Sequence, residues 1–154
     1  MRPLWISRPL KNWQDICAWA QDAGIRKIIP PEHLHLTLAT VREPVDHSRV
    51  TAQEDEIIIE TGHMPVQIFA WTIKALTFTH PRLTERHAEL LHAYPSMDHP
   101  DFRPHLSLYK GGRMPRTEYS GSLVFGPERI LEFDADNSKG IKHAKVTDLL
   151  GETQ

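Results

Sequence analysis

The sequence predicts an α+β fold of two similar lobes facing each other. Two observations carry this. The order strand, helix, alternating strand occurs twice along the chain. Each occurrence delivers one strand with the same chemistry, His35-Leu36-Thr37-Leu38 in the first half and His105-Leu106-Ser107-Leu108 in the second. The length agrees: 154 residues suit one domain with one core, here a single domain spanning 1–154.

The elements follow in order. Leu4-Trp5-Ile6-Ser7 reads as a short strand closed by Arg8-Pro9. From Trp13 to Gln21, Ile16, Cys17, Trp19 and Ala20 recur at helical spacing, with Asn12 as the expected cap and Gly24 as the stop. His33 to Ala39 alternates strictly, the period of a half-buried strand. Residues 42–65 are polar and acidic and predict a loop, one strand at Ile57-Ile58-Ile59, and a turn at Gly62. Val66 to Thr79, rich in β-formers, predicts one long strand or a bent pair. Pro81 opens a second helix with Leu83, His87, Leu90 and Leu91 on one side, ending before Pro95. Phe102 to Tyr109 alternates again. Strands are expected at Ser122–Phe125 and Arg129–Phe133, broken by Gly126-Pro127, with a polar tail beyond Asp134.

Composition narrows the function. Lys+Arg 18 against Asp+Glu 20 leaves a net charge of −2, which excludes a strongly basic nucleic-acid coat and argues against long nucleic acid as the partner. Any nucleotide would be handled in a local pocket. The single cysteine, Cys17, can form no internal disulfide and belongs to no zinc knuckle. No apolar run approaches the ~20 residues of a membrane helix, and the opening segment does not read as a signal peptide. A cytoplasmic location is the expectation.

In a strand, residues i and i+2 share a face. His35 and Thr37 therefore point one way, as do His105 and Ser107, while the four leucines point into the core. Two imidazoles and two hydroxyls converge if the lobes face each other. Imidazole titrates near pH ~6.5, so one neutral and one protonated histidine can take and give a proton across a phosphodiester. Thr37 and Ser107 can donate to its oxygens. With a ribose 2′-OH as nucleophile, no metal or other cofactor is needed. One such histidine among ten would more often be structural; the repetition favours chemistry. His33 and His35 have the spacing of metal ligands, yet no third ligand is evident, and His33 is taken as a rim residue on the face of His35. His47, His63, His80, His87, His92, His99 and His143 are expected on surfaces or helices.

Paired His-x-(Thr/Ser)-x motifs half a chain apart resemble the 2H phosphoesterase superfamily. The resemblance implies a bilobal α+β fold, two antiparallel sheets flanking a central cleft with helices outside. A narrower resemblance lies in Leu4-Trp5-Ile6-Ser7-Arg8-Pro9-Leu10, Pro30 to Ala39, Phe102-Arg103-Pro104-His105-Leu106-Ser107 and Phe125-Gly126-Pro127-Glu128. These are similar to the phage anti-CBASS phosphodiesterases, which cleave the cyclic oligonucleotide messengers of bacterial antiphage signalling. That implies catalytic roles for His35, Thr37, His105 and Ser107, with serine where threonine is common. It also places an aromatic near Trp5 and near Trp71 and an acid near Glu132. Trp5 and Trp71 are thus expected to stack bases, and Glu132 to accept from a base edge. Arg8 is expected to meet phosphate, and Tyr109 to reach the cleft from the face of His105. Lys11, which also follows the first strand, is read with Arg8 as a phosphate contact, while Lys110, Arg113 and Arg116 are expected on a solvated rim. The tail lacks the aromatic residue common near the end of that family.

Overall fold

A computed structural model describes residues 1–69 and 72–133. Trp71, His143 and the polar tail lie outside the described residues.

The chain opens with strand β1 (Arg2–Pro9) and helix α1 (Trp13–Asp22), then passes a 3-10 turn (Pro31–His33) into β2 (His35–Val45). Strands β3 (Ile57–Met64), β4 (Val66–Phe69) and β5 (Ile73–Thr77) follow, then helix α2 (Pro81–Ala93) and β6 (His105–Lys110). Strands β7 (Tyr119–Phe125) and β8 (Arg129–Glu132) end the described chain. All pairings are antiparallel. They form two three-stranded sheets, β2-β1-β8 and β4-β5-β6, and a two-stranded ladder of β3 and β7. β2 and β6 meet in the interior of the molecule.

Helix α1 ends as expected. Ala23 caps it, and Gly24 takes a left-handed φ of +81°. The Gly24 and Ile25 amides then bond back to the carbonyls of Gln21 and Ala20, which closes the last turn. A side chain at Gly24 would also collide with the Arg116 guanidinium. The start differs. Asn12 makes no side-chain cap bond; its amide instead bridges to β7, donating to the Ser122 carbonyl and accepting from the Val124 amide. Fixing the helix to a strand outweighs capping it. Helix α2 starts at Pro81 with the His80 Nδ1 accepting from the Arg82 amide.

Two expectations for the middle of the chain are corrected. β2 runs on to Val45, and Gly62 lies within β3 rather than at a turn. The chain reverses between Phe69 and Ile73, so the Val66 to Thr79 segment is the bent pair, β4 and β5.

The core is continuous across both lobes. Leu36, Leu38, Leu106 and Leu108 are each at most 2% exposed, as the alternation requires. Burying such a side chain stabilises the fold by about 1.5–3 kcal/mol. β3 and β7 bring Ile57, Ile59, Leu123 and Phe125 to the same core.

Candidate active site

The two motif strands are built alike. In β2 and in β6 the first five positions show one burial sequence: histidine half-buried, leucine buried, hydroxyl residue half-buried, then two buried residues. The adjacent buried pair marks a bulge. Ser7 pairs with Thr37 and Ile6 with Ala39, which leaves Leu38 as the extra residue. Ala75 pairs with Ser107 and Lys74 with Tyr109, which leaves Leu108. Bulges bend a strand and re-aim the side chains around them, and they favour sites of chemistry. Here each one ends the run that carries His-x-(Thr/Ser).

The imidazoles are also oriented alike. The His35 Nδ1 lies 2.6 Å from the His33 carbonyl oxygen, and the His105 Nδ1 lies 2.9 Å from the Arg103 carbonyl oxygen. A carbonyl only accepts, so each Nδ1 carries the proton and donates it. Each neutral ring then keeps its Nε2 lone pair for a ligand. The carbonyl comes from the residue two before the histidine in both cases. His33 therefore serves through its backbone. It sits in the 3-10 turn and not on the strand face of His35, because the turn ends where β2 begins.

Burial holds His35 well below the ordinary histidine range, down to about 4; the charges of His105, His33 and Arg129 push the same way, against the His33 carbonyl. The charge of His105 is thus felt at His35, and β2 and β6, which carry the two rings, are in contact. Burial also lowers His105, with the Arg103 charge adding to it against the Arg103 carbonyl. Burial thus favours the neutral form of both rings.

An aromatic supports each histidine. In the first lobe Trp5 meets His35 edge to face, with centroids 5.2 Å apart, and its Nε1–H donates to Thr37 Oγ1 at 3.2 Å. Thr37, having accepted that bond, is left with its own O–H to donate. In the second lobe Phe69 stacks on His105 at 3.9 Å, and the Arg103 guanidinium covers Phe69 at 4.7 Å. Phe69 was not expected here; the only hint in the sequence was its place in an aromatic-rich hairpin.

Four expected substrate contacts fall elsewhere. Trp5 is 0% exposed and presents no open face to a base; it supports His35 and Thr37. Arg8 is also 0% exposed. It shares the core face with Leu36, to which it is paired, and its guanidinium donates to the carbonyls of Asp55 and Gly126 and to the Gln53 side chain. Arg8 therefore meets no phosphate. The β6 bulge turns Tyr109 off the face of His105 and into the core, where its hydroxyl donates to the Arg113 carbonyl. Glu132 pairs with Leu4, on the face opposite Trp5 and Ser7, and forms an exposed ion pair with Arg2 at 3.5 Å. Arg129 and Leu131 hold the inner face of β8 instead, opposite Ser7 and Trp5.

Among the described residues no three His, Cys, Asp or Glu side chains gather as a metal-binding group. No helix among them is long and apolar enough to cross a membrane.

Comparison with known proteins bears on the family and the fold. The family model for the anti-CBASS protein Acb1 matches residues 2–140. A curated anti-CBASS protein Acb1 from Caulobacter sp. (strain RHG1) is 30% identical over 143 residues, and one from Sphingomonas paeninsulae is 28% identical over 147. These matches take in 86% and 88% of this chain but only 23% and 24% of the relatives, so the chain spans about a quarter of their length. Among solved structures, E. coli LigT in complex with ATP aligns with a TM-score of 0.56 at 15% identity, covering 86% of this chain and 88% of that one. The protein TT0787 of Thermus thermophilus aligns at 0.59 with 16% identity, covering 87% and 89%. The α+β architecture of two facing sheets is thus the LigT-like 2H phosphoesterase fold, and by its sequence the chain belongs to the anti-CBASS protein Acb1 family.

Proposed function

We propose that this chain is a metal-independent phosphodiesterase that cleaves 3′–5′ linkages of cyclic di- or trinucleotides and so counters CBASS signalling in the host cytoplasm. The observation that carries the proposal is the duplicated constellation: two imidazoles with Nδ1 committed to a carbonyl and no Nε2 hydrogen bond among the described residues, each with a hydroxyl two residues on. The family's anti-CBASS description supports a role against CBASS signalling, and LigT, which shares the fold, is solved in complex with the nucleotides ATP and 3′-AMP.

In the proposed reaction a ribose 2′-OH attacks the adjacent phosphorus. His35, the ring held more firmly neutral, takes the 2′ proton on Nε2. His105, protonated once the phosphate's charge is beside it, gives its proton to the departing 5′-oxygen. Thr37 and Ser107 donate to the non-bridging oxygens. A 2′,3′-cyclic phosphate and a free 5′-OH result. Placing a tethered nucleophile correctly can supply several kcal/mol, within the ~7–11 kcal/mol ceiling for well-oriented groups.

Chromatography after incubation with a cyclic dinucleotide in EDTA tests this. Cleavage by the native protein, lost in His35→Ala and His105→Ala, is expected; proton-transfer groups typically contribute about 10²–10⁴-fold. Intact ligand released only on denaturation would indicate sequestration. No interaction would point to another 2H activity, on RNA ends or 2′,3′-cyclic phosphates.

A further inference from the structure

The two sheets present matching rows of side chains across their inner faces, and the rows differ at one informative place. In the first lobe the register runs Thr37, Ser7, Arg129 across β2, β1 and β8. In the second it runs Ser107, Ala75, Gln67 across β6, β5 and β4. Arg129 and Gln67 thus hold equivalent outer positions, one cationic and one neutral. Arg129 is half-buried on this inner face, opposite Ser7, and its charge is felt at His35. The residue mounted between it and Thr37 is a serine, a small side chain covered by its neighbours at 1% exposed.

Two strand spacings, about 10 Å, separate the backbones of Thr37 and Arg129. The scissile phosphate lies between the hydroxyls of Thr37 and Ser107 in the proposed reaction. A cation on the third strand is therefore mounted beside that phosphate rather than at it. Guanidinium has the planar fork that pairs with phosphate oxygens. We propose that Arg129 binds the phosphate flanking the scissile one, and so selects substrates that carry at least two phosphates, as a cyclic oligonucleotide does. This rests on the phosphodiesterase proposal and names its substrate-selecting residue. Gln67, without charge, makes the selection one-sided.

The test compares a cyclic dinucleotide, with two phosphates, and a linear 3′–5′ dinucleoside monophosphate, with one. Both offer a 2′-OH beside a cleavable linkage. Arg129→Gln is expected to lower kcat/KM for the cyclic substrate at least about tenfold more than for the linear one, the scale of a charge-assisted hydrogen bond. Arg129→Lys, which keeps the charge, is expected to restore part of the difference and shows that the site survives substitution. Equal losses on both substrates, or no loss on either, would overturn the proposal. If the native protein cuts neither, the phosphodiesterase proposal fails, and binding of a 2′-deoxy cyclic dinucleotide then decides for Arg129. Binding that Arg129→Gln weakens about tenfold supports its role; unchanged binding, or none by the native protein, overturns it.

Discussion

Trp5 changes role between sequence and structure, and the change yields a test. As a fully buried donor to Thr37 it would serve the proposed reaction through that residue. Trp5→Phe keeps a ring against His35 and removes the N–H. A hydrogen bond of this kind contributes about 0.5–1.5 kcal/mol, so kcat should fall about 2- to 10-fold with the fold intact. In a Thr37→Val background the same change should cost nothing further, which a double-mutant cycle measures. Additive losses would mean that Trp5 acts otherwise. His35 gives a second test. Its folded-state pKa, about 4, lies below the ordinary 6.5, so between those values the unfolded chain binds the extra proton and the folded chain does not. Stability is fully present above that window and declines as pH falls through it. His105 is shifted in the same direction. Denaturant midpoints measured across the window should fall with pH, and more gently in His35→Gln.

Between elements, the charged groups in the core hold the lobes and loops in register. The Glu128 side chain, at 0% exposure, accepts twice from Arg86 of α2, at 2.9 and 2.8 Å, and once from the Gln53 amide. Arg8 of β1 lies 3.9 Å away. Arg86 and Arg8 also donate to the carbonyls of Thr51 and Asp55, so the acidic segment before β3 is tied to β1 and α2. Glu128→Ala strands two buried cations and should cost about 3–5 kcal/mol, measured as a lower urea midpoint. A loss under about 1 kcal/mol would mean that water or other groups already satisfy the arginines. This scale also separates what was legible in the sequence from what was not. The alternation of both motif strands, the leucines beneath them, the two helices and the four residues of the His-x-(Thr/Ser) pairs were legible, because period and side-chain type are local. Arg8 was misplaced as a phosphate ligand although it sits in step with Leu4, Ile6 and Leu10, all buried. Its charge suggested solvent, while its partner Glu128 lies 120 residues along the chain. Tyr109 was misplaced because a bulge shifts the period by one, and nothing in the run His105 to Lys110 announces it. Glu132 was misplaced because the inner face of β8 is set by its pairing with β1.

For the whole molecule, duplication explains the site. Each sheet supplies one oriented imidazole and one hydroxyl, and the meeting of β2 and β6 brings the two halves together. In the proposed reaction one lobe accepts the 2′ proton and the other protonates the leaving oxygen. Asymmetry lies in the supports, Trp5 at His35 and Phe69 with Arg103 at His105, and in the outer position, Arg129 against Gln67. The central claim is that two histidines act on a phosphodiester through its own 2′-OH. It is tested most directly by mass spectrometry of the first product formed from a ribose cyclic dinucleotide in ¹⁸O-labelled water with EDTA present. The account predicts a 2′,3′-cyclic phosphate carrying no label, and no product from the 2′-deoxy analogue. Label in the first product, or rapid cleavage of the deoxy analogue, would contradict it, because water would then be the nucleophile.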